Sequence, residues 1–213
     1  MPDHPAPTDI AVALSALGAA TVGESGGDPM AARIKPAWAG AALAAPAFPV
    51  RCTPGDNLAI HVGVTSAPAG SALVVSVGDT RELGYWGEVL TTAAEARGLA
   101  GLVIDGCVRD SAALAAHGFP VFSTGLALPG ATKSRAGAVG GVVRVGDVQV
   151  TDGDWVIGDG DGVTVVPGDA IDAVLAAARA RADREQEYFE ALRNGDTTVR
   201  LLDLDPSPVE RQE

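Results

Sequence analysis

Three short apolar runs, each separated from the next by a helix-forming segment, constrain this chain more than any other feature. SALVVSV at 71–77 is a nearly continuous apolar run bounded by Gly70 and Gly78, as a strand covered on both faces requires. Residues 102–104 and 120–122 supply a second and a third strand. Between the first two, 87–98 places Val89, Leu90, Ala93, Ala94 and Ala96 among good helix formers and ends on glycine. A shorter helix is predicted over 110–117, capped by Asp110 and closed by Gly118. Strand, helix, strand, helix, strand with short links predicts parallel pairing with right-handed crossovers.

After Gly137 the texture changes. VVRV and VQV flank Gly146 and Asp147, and WVIG and VTVV flank a turn at 159–162, which predicts antiparallel hairpins. The expected fold class is therefore α/β, a parallel βαβαβ layer joined to a hairpin layer with helices outside. Upstream, a short helix is expected around 10–17, followed by a Gly-rich turn. The 41–50 run, with Pro46 and Pro49, reads as an edge strand. One long helix is predicted over 170–194 and a tail over 196–213. A length of 213 residues fits one domain, placed at 1–195.

Composition excludes several function classes. Hydrophobic residues at 47% against 20% charged are enough for a core, so disorder is not the overall state. With 27 acidic against 15 basic residues the net charge is -12, and no basic stripe offers itself to a phosphate backbone, so nucleic acid is not an expected partner. The start MPDHPAPTDI carries acid in place of a basic leader, and 11–20 is too short and too broken by Gly and Ser to span a bilayer. A cytoplasmic protein with no membrane partner is expected. Cys52 and Cys107 form no disulfide framework, and Cys107 reads as a small buried hydrophobe. The only histidines are His4, His61 and His117, so any metal is expected among carboxylates and waters.

In parallel sheets, ligands bind beyond the carboxyl ends of the strands, here the loops 78–87 and 105–110. At Gly87, Glu88, Val89 and Leu90 the first helical turn leaves backbone N–H groups without partners, a cradle for a small carboxylate. Arg109 offers a bidentate fork to an anionic substrate, and Asp110 a hard oxygen ligand to a divalent cation. Each also has a structural explanation: Asp110 as a helix cap, Arg109 as its solvated partner, Glu88 as an acid favoured by the helix dipole. On the long helix, Glu185 falls on the apolar stripe of Ile171, Val174, Leu175, Ala178, Ala182, Phe189 and Leu192. A carboxylate in a packing position must meet an arginine, a metal or water. The helix, about 37 Å long, is long enough to reach a neighbouring subunit. Two look-alikes are set aside. The 125–134 segment resembles a phosphate loop, but Lys133 comes two residues late. The 159–162 turn lacks the oxygen ligands of a calcium loop at Val163 and Ala170.

GEVL at 87–90, the twenty residues between Glu88 and Arg109, GLVIDGCVRD at 101–110, FPVFSTG at 119–125, GDWVIGDGDGVTVVP at 153–167 and the Arg184–Glu185 pair form a combination. It resembles the 4-hydroxy-4-methyl-2-oxoglutarate aldolase and RraA-like family over 34–195. The resemblance implies a three-layer β/β/α fold, assembled as homotrimers or hexamers with the site between subunits. It implies that Asp110 contacts a divalent metal, Mg2+ or Mn2+, that Arg109 holds the 2-oxo acid substrate, and that 87–90 supplies main-chain donors. Glu88 and, from the adjacent subunit, Glu185 would act on the metal through waters. The expected activity is class II aldol cleavage releasing pyruvate, with oxaloacetate decarboxylation on the side and a place in aromatic compound degradation. Two positions depart from the family pattern: Glu88 stands where an Asp is usual, and Phe189 where a basic residue is common. The alternatives are a non-catalytic regulator binding a ribonuclease or another protein, and a Schiff-base aldolase using Lys35 or Lys133, the only lysines.

Overall fold

The computed structural model describes residues 6–210. His4, the acidic start of the chain and the last three residues of the expected tail lie outside them. Helix α1 (Pro7–Gly23) and the two-residue strands β1 (Asp28–Pro29) and β2 (Lys35–Pro36) lead into β3 (Leu43–Cys52). Helix α2 (Leu58–Ser66), which the sequence pattern did not announce, comes next. The predicted alternation then follows as β4 (Ala72–Ser76), α3 (Glu88–Ala96), β5 (Gly101–Ile104), α4 (Ser111–His117) and β7 (Val121–Ser123), with an unpredicted two-residue strand β6 (Cys107–Val108) before α4. Then come β8 (Gly125–Leu126), β9 (Gly137–Val139), β10 (Val142–Val145), β11 (Val148–Thr151), β12 (Trp155–Gly158) and β13 (Val163–Val166). Helices α5 (Ile171–Arg193) and α6 (Thr198–Leu201) close the chain.

Strands β3, β4, β5 and β7 run parallel, as the apolar runs require. The β12–β13 hairpin continues the sheet antiparallel on the other side of β3. Alternate residues of each parallel strand serve opposite layers. Leu73, Val75, Leu102, Ile104 and Val121 pack under α2, α3 and α4. Val74, Val103 and Phe122 point the other way, against Val143, Val145 and Val150 of the β10–β11 hairpin. The result is three layers, hairpin, sheet and helices, and a third cluster seats α1 and the start of α5 on Trp155, Ile157 and Val166. The sheet is curled: a Cβ on Gly158 would stand 2.7 Å from the ring of Phe122, four strands away in the sheet order.

Three expectations need correction. The 41–50 run belongs to β3, which is a central strand. Its prolines are tolerated because neither occupies a ladder donor position. Pro49 turns its carbonyl to the Gly140 N–H, so its ring nitrogen faces the gap between the start of β12 and the end of β9. Pro46 faces the other side, one residue before pairing with β4 begins. The N-terminal helix runs past 17 to Gly23, broken at Gly18 (φ 81°, ψ 159°). The helix resumes because the Asp159 carboxylate, in the turn that resembled a calcium loop, accepts the Ala19 N–H at 2.7 Å. The expected tail contains one helical turn, α6, capped by the Thr197 hydroxyl. No helix among the described residues is long and apolar enough to cross a membrane.

Because the Phe122 ring fills the inside of the curl, Phe122→Ala is expected to destabilise the chain by about 3–5 kcal/mol. Urea denaturation measures this, and a loss under about 1 kcal/mol would mean that the curl is held elsewhere.

Candidate functional site

The loops that follow β4 and β5 are sewn together by main-chain hydrogen bonds. Tyr85 N–H donates to Cys107 O at 3.1 Å, Arg109 N–H to Trp86 O at 2.9 Å, and Cys107 N–H to Arg81 O at 2.8 Å. A third segment closes over them: Ala127 N–H donates to Val108 O at 3.0 Å, and Gly84 N–H to Pro129 O at 2.7 Å. Burial of Tyr85 and Trp86 anchors the first loop. The Trp86 indole N–H donates to the Thr91 hydroxyl at 2.7 Å, and its ring stacks on Phe119 with centroids 6.0 Å apart.

This stitching presents Arg109 and Asp110 side by side at the mouth of a cavity of about 170 Å³. Asp110 does not cap its own helix. Its backbone is left-handed (φ 60°, ψ 36°), and its side chain turns away from α4 to accept the Glu88 N–H at 3.1 Å. The helix-cap explanation is thereby corrected: the carboxylate caps the neighbouring helix α3. The Arg109 Nε lies 3.8 Å from the same Asp110 oxygen, and both side chains are nearly half exposed. Two glycines make room. A Cβ on Gly87 would stand 2.4 Å from Asp110 Oδ2, and one on Gly84 would stand 2.7 Å from the Ala127 carbonyl and 3.0 Å from Arg109 Cδ. The N–H groups of Val89 and Leu90, in the first turn of α3, have no acceptor among the described residues.

The same cavity is also lined by Asn57, His61 and Lys133. The amide of Asn57 donates to Tyr85 O at 2.8 Å, but its Oδ1 and the Nε2 of His61 are buried without a partner. Burial, and then the charge of Lys133, pushes the His61 pKa below its ordinary value, so the ring is neutral at pH 7. The loop that carries Lys133 is pinned by Asp56, which is 1% exposed. Burial alone would raise the Asp56 pKa. Hydrogen bonds from Ser134 N–H, Leu58 N–H, the Thr132 hydroxyl and Arg135 N–H together outweigh it and hold the pKa at about 2. Behind the first loops, buried Asp105 takes Arg33 through two bonds of 3.1 and 2.8 Å and Arg81 at 3.0 Å. Burial opposes its charge, and the arginines keep its pKa below the usual carboxylate value.

A small divalent cation fits the donor set at the mouth. Asp110 Oδ1 accepts no hydrogen bond among the described residues and is a hard oxygen. No group of three or more His, Cys, Asp or Glu gathers among the described residues, so from this chain Asp110 is the one carboxylate that would hold such an ion at this mouth.

The family comparison agrees with this architecture: the sequence model of the RraA-like family (Aldolase/RraA) matches residues 17–165. The chain belongs to the RraA-like family. A protein of Halalkalibacterium halodurans named "Putative 4-hydroxy-4-methyl-2-oxoglutarate aldolase" is 31% identical over 167 residues, 78% of this chain and 80% of that one. An uncharacterized protein from Pseudomonas syringae pv. tomato has a TM-score of 0.80 at 26% identity, covering 93% of this chain and 99% of that one. Streptomyces coelicolor RraAS2, described as an unusual member of the RNase ES inhibitor RraA protein family, shares the fold. Its TM-score is 0.74 at 24% identity, over 89% of this chain and 100% of its own.

In this RraA-like chain the residues expected at the site divide into two sets. Gly87, Val89, Leu90, Arg109 and Asp110 line one cavity. Glu88 gives its N–H to that site, but its carboxylate lies 3.6 Å from the Nε2 of His117. Glu185 stays on α5, paired with Arg181 at 2.8 Å, and no α5 residue lines the cavity. Asn57 and His61 were missed, and Lys133 was named only for the Schiff-base alternative. The Asp56-Asn57 pair ahead of the helix at 58 was a usable turn signal, whereas nothing local placed Lys133 opposite Arg109.

A depressed native pKa at Asp56 contributes stability that is complete above the unfolded value near 4 and is lost as pH falls toward about 2. The melting temperature is therefore expected to fall across that window, and Asp56→Asn should flatten the fall. Parallel curves for the two proteins would show that Asp56 is not the pin.

Proposed function

We propose that the protein is a class II aldolase that cleaves 4-hydroxy-4-methyl-2-oxoglutarate or a related 4-hydroxy-2-oxo acid to pyruvate, with Mg2+ or Mn2+, and that decarboxylates oxaloacetate as a side activity. The observation that carries this reading is the placement of Arg109 and an Asp110 freed from capping its own helix beside the unpaired N–H groups of α3. The residues matched to the family motif include all four of its charged members, Glu88, Arg109, Asp110 and Glu185.

Breaking the C3–C4 bond leaves an electron pair on C3 that is delocalised onto the C2 oxygen as an enolate. Asp110 would hold the divalent cation, which when bound would supply Lewis-acid charge to the developing enolate. Arg109 adds a second fixed positive charge beside it. The N–H groups of Val89 and Leu90 take the C1 carboxylate, an anion at a helix N-terminus. Glu88 and the Glu185 of a neighbouring subunit, acting through water, take the C4 hydroxyl proton. That proton goes back to C3 once the second carbonyl product has left. Val89 and Leu128, 79% and 89% exposed beside Asp110, favour a homotrimer or hexamer that covers this mouth.

Lys133 lines the same cavity, which gives the Schiff-base mechanism a specific footing. Borohydride with pyruvate separates the two: labelling of Lys133 overturns the metal mechanism. Pyruvate release from oxaloacetate is expected with Mg2+ and lost in EDTA. Arg109→Ala and Gly87→Ala should each lower it by at least about 100-fold. The melting temperature of either variant should move by under about 4 °C, since neither position fills the core. Wild-type protein with no metal-dependent turnover would favour the non-catalytic regulator.

A further inference from the structure

The Glu88 carboxylate is occupied outside the cavity that its own N–H helps to build. Glu88 and Glu95 lie two turns apart on α3, on one stripe, and His117 at the end of α4 sits between them. The His117 Nδ1 is 2.8 Å from Glu95 Oε2, and its Nε2 is 3.6 Å from Glu88 Oε1. His117 lies on the surface, where its Nδ1 contact with Glu95 orients the ring and leaves Nε2 toward Glu88. Meanwhile Glu88 N–H stays 3.1 Å from Asp110. The backbone of Glu88 is thus in the site and its carboxylate is not. The shorter side chain of an aspartate at 88 would fall short of His117 by roughly one C–C bond, about 1.5 Å.

We propose that His117, clamped by Glu95, is a positioning residue that latches the Glu88 carboxylate on the α3–α4 surface, so that a cation arriving at Asp110 must draw Glu88 off the latch to engage it. This rests on the metal-dependent reading above and adds a cost to loading the site that the longer side chain at 88 creates. An equilibrium that holds a ligand group in a second position lowers apparent affinity by the fraction latched.

The test is Mn2+ titration, read by electron paramagnetic resonance of the free ion at one pH, on wild type, His117→Gln, Glu88→Asp, the double variant and Asp110→Asn. Each latch-breaking single variant is expected to bind Mn2+ roughly 2- to 5-fold more tightly, the range of a half-exposed ion pair. The double variant should match Glu88→Asp alone, because nothing remains for His117 to hold. Nitrogen NMR of the His117 ring gives an independent readout: Mg2+ should shift it in wild type and leave it unmoved in Glu88→Asp. If wild type binds no Mn2+, or Asp110→Asn binds as well as wild type, the metal reading falls and the latch with it. If binding needs Asp110 but His117→Gln binds equally or more weakly, or the two changes simply add, the latch alone is overturned.

Discussion

The approach of the Asp110 carboxylate to the first turn of α3 decides where every other group at the site can stand. At 3.1 Å from the Glu88 N–H the carboxylate occupies the positive end of a helix that is not its own. That arrangement requires a left-handed residue at 110, which an aspartate tolerates better than most side chains, and no side chain at 87. It also sets the side chain of Arg109, whose Cγ and Cδ pass within about 3 Å of where Cβ atoms on Gly87 and Gly84 would be. One contact between two loops therefore fixes an anion cradle, a guanidinium and a hard oxygen with respect to one another.

Three aspartates in these loops show how accounting for hydrogen bonds separates structural from chemical roles. Asp56 is nearly inaccessible and its oxygens are consumed by four donors, so it can only hold the 132–135 segment to α2. Asp105 is buried and consumed by two arginines and the Gly146 N–H, tying the loop after β4 to the β10–β11 turn. Asp110 is nearly half exposed and keeps one oxygen free of protein donors. Burying a charge is costly unless partners are supplied, and the first two are supplied in full. The third is left available to something that is not protein.

What could be read in the sequence followed the range of the physics involved. The parallel strands β4, β5 and β7 and the helices α3 and α4 between them were legible because the strands are buried on both faces, which writes short apolar runs into the sequence. The two hairpins were legible from their turns. The 41–50 strand was misplaced because its two prolines carry an edge signal, and only its partners reveal that both face places where no ladder bond is needed. At the site, Arg109 and Asp110 are neighbours in sequence and the cradle at 87–90 is a single turn, so both were visible. Asn57 meets them through its hydrogen bond to Tyr85 O, and Lys133 through the Asp56 pin, a contact between segments more than seventy residues apart. No local pattern encodes such a contact.

Glu185 poses the same problem at the scale of an assembly. The stripe of α5 is buried as far as Ala178, against α1 and the β12–β13 hairpin. Beyond it about four turns continue, some 22 Å of helix, with Phe189 exposed on the same stripe. A helix that leaves its own core still carrying an apolar residue spends conformational entropy without burial in return, so its far half makes physical sense where another surface receives it. Glu185 lies on that far half, held at 2.8 Å by Arg181, which also engages Glu24 of α1's trailing turn. With no α5 residue lining the cavity of its own chain, a role for this carboxylate at the site is a role in a neighbouring copy. Its salt bridge to Arg181 would then fix the direction in which it is presented.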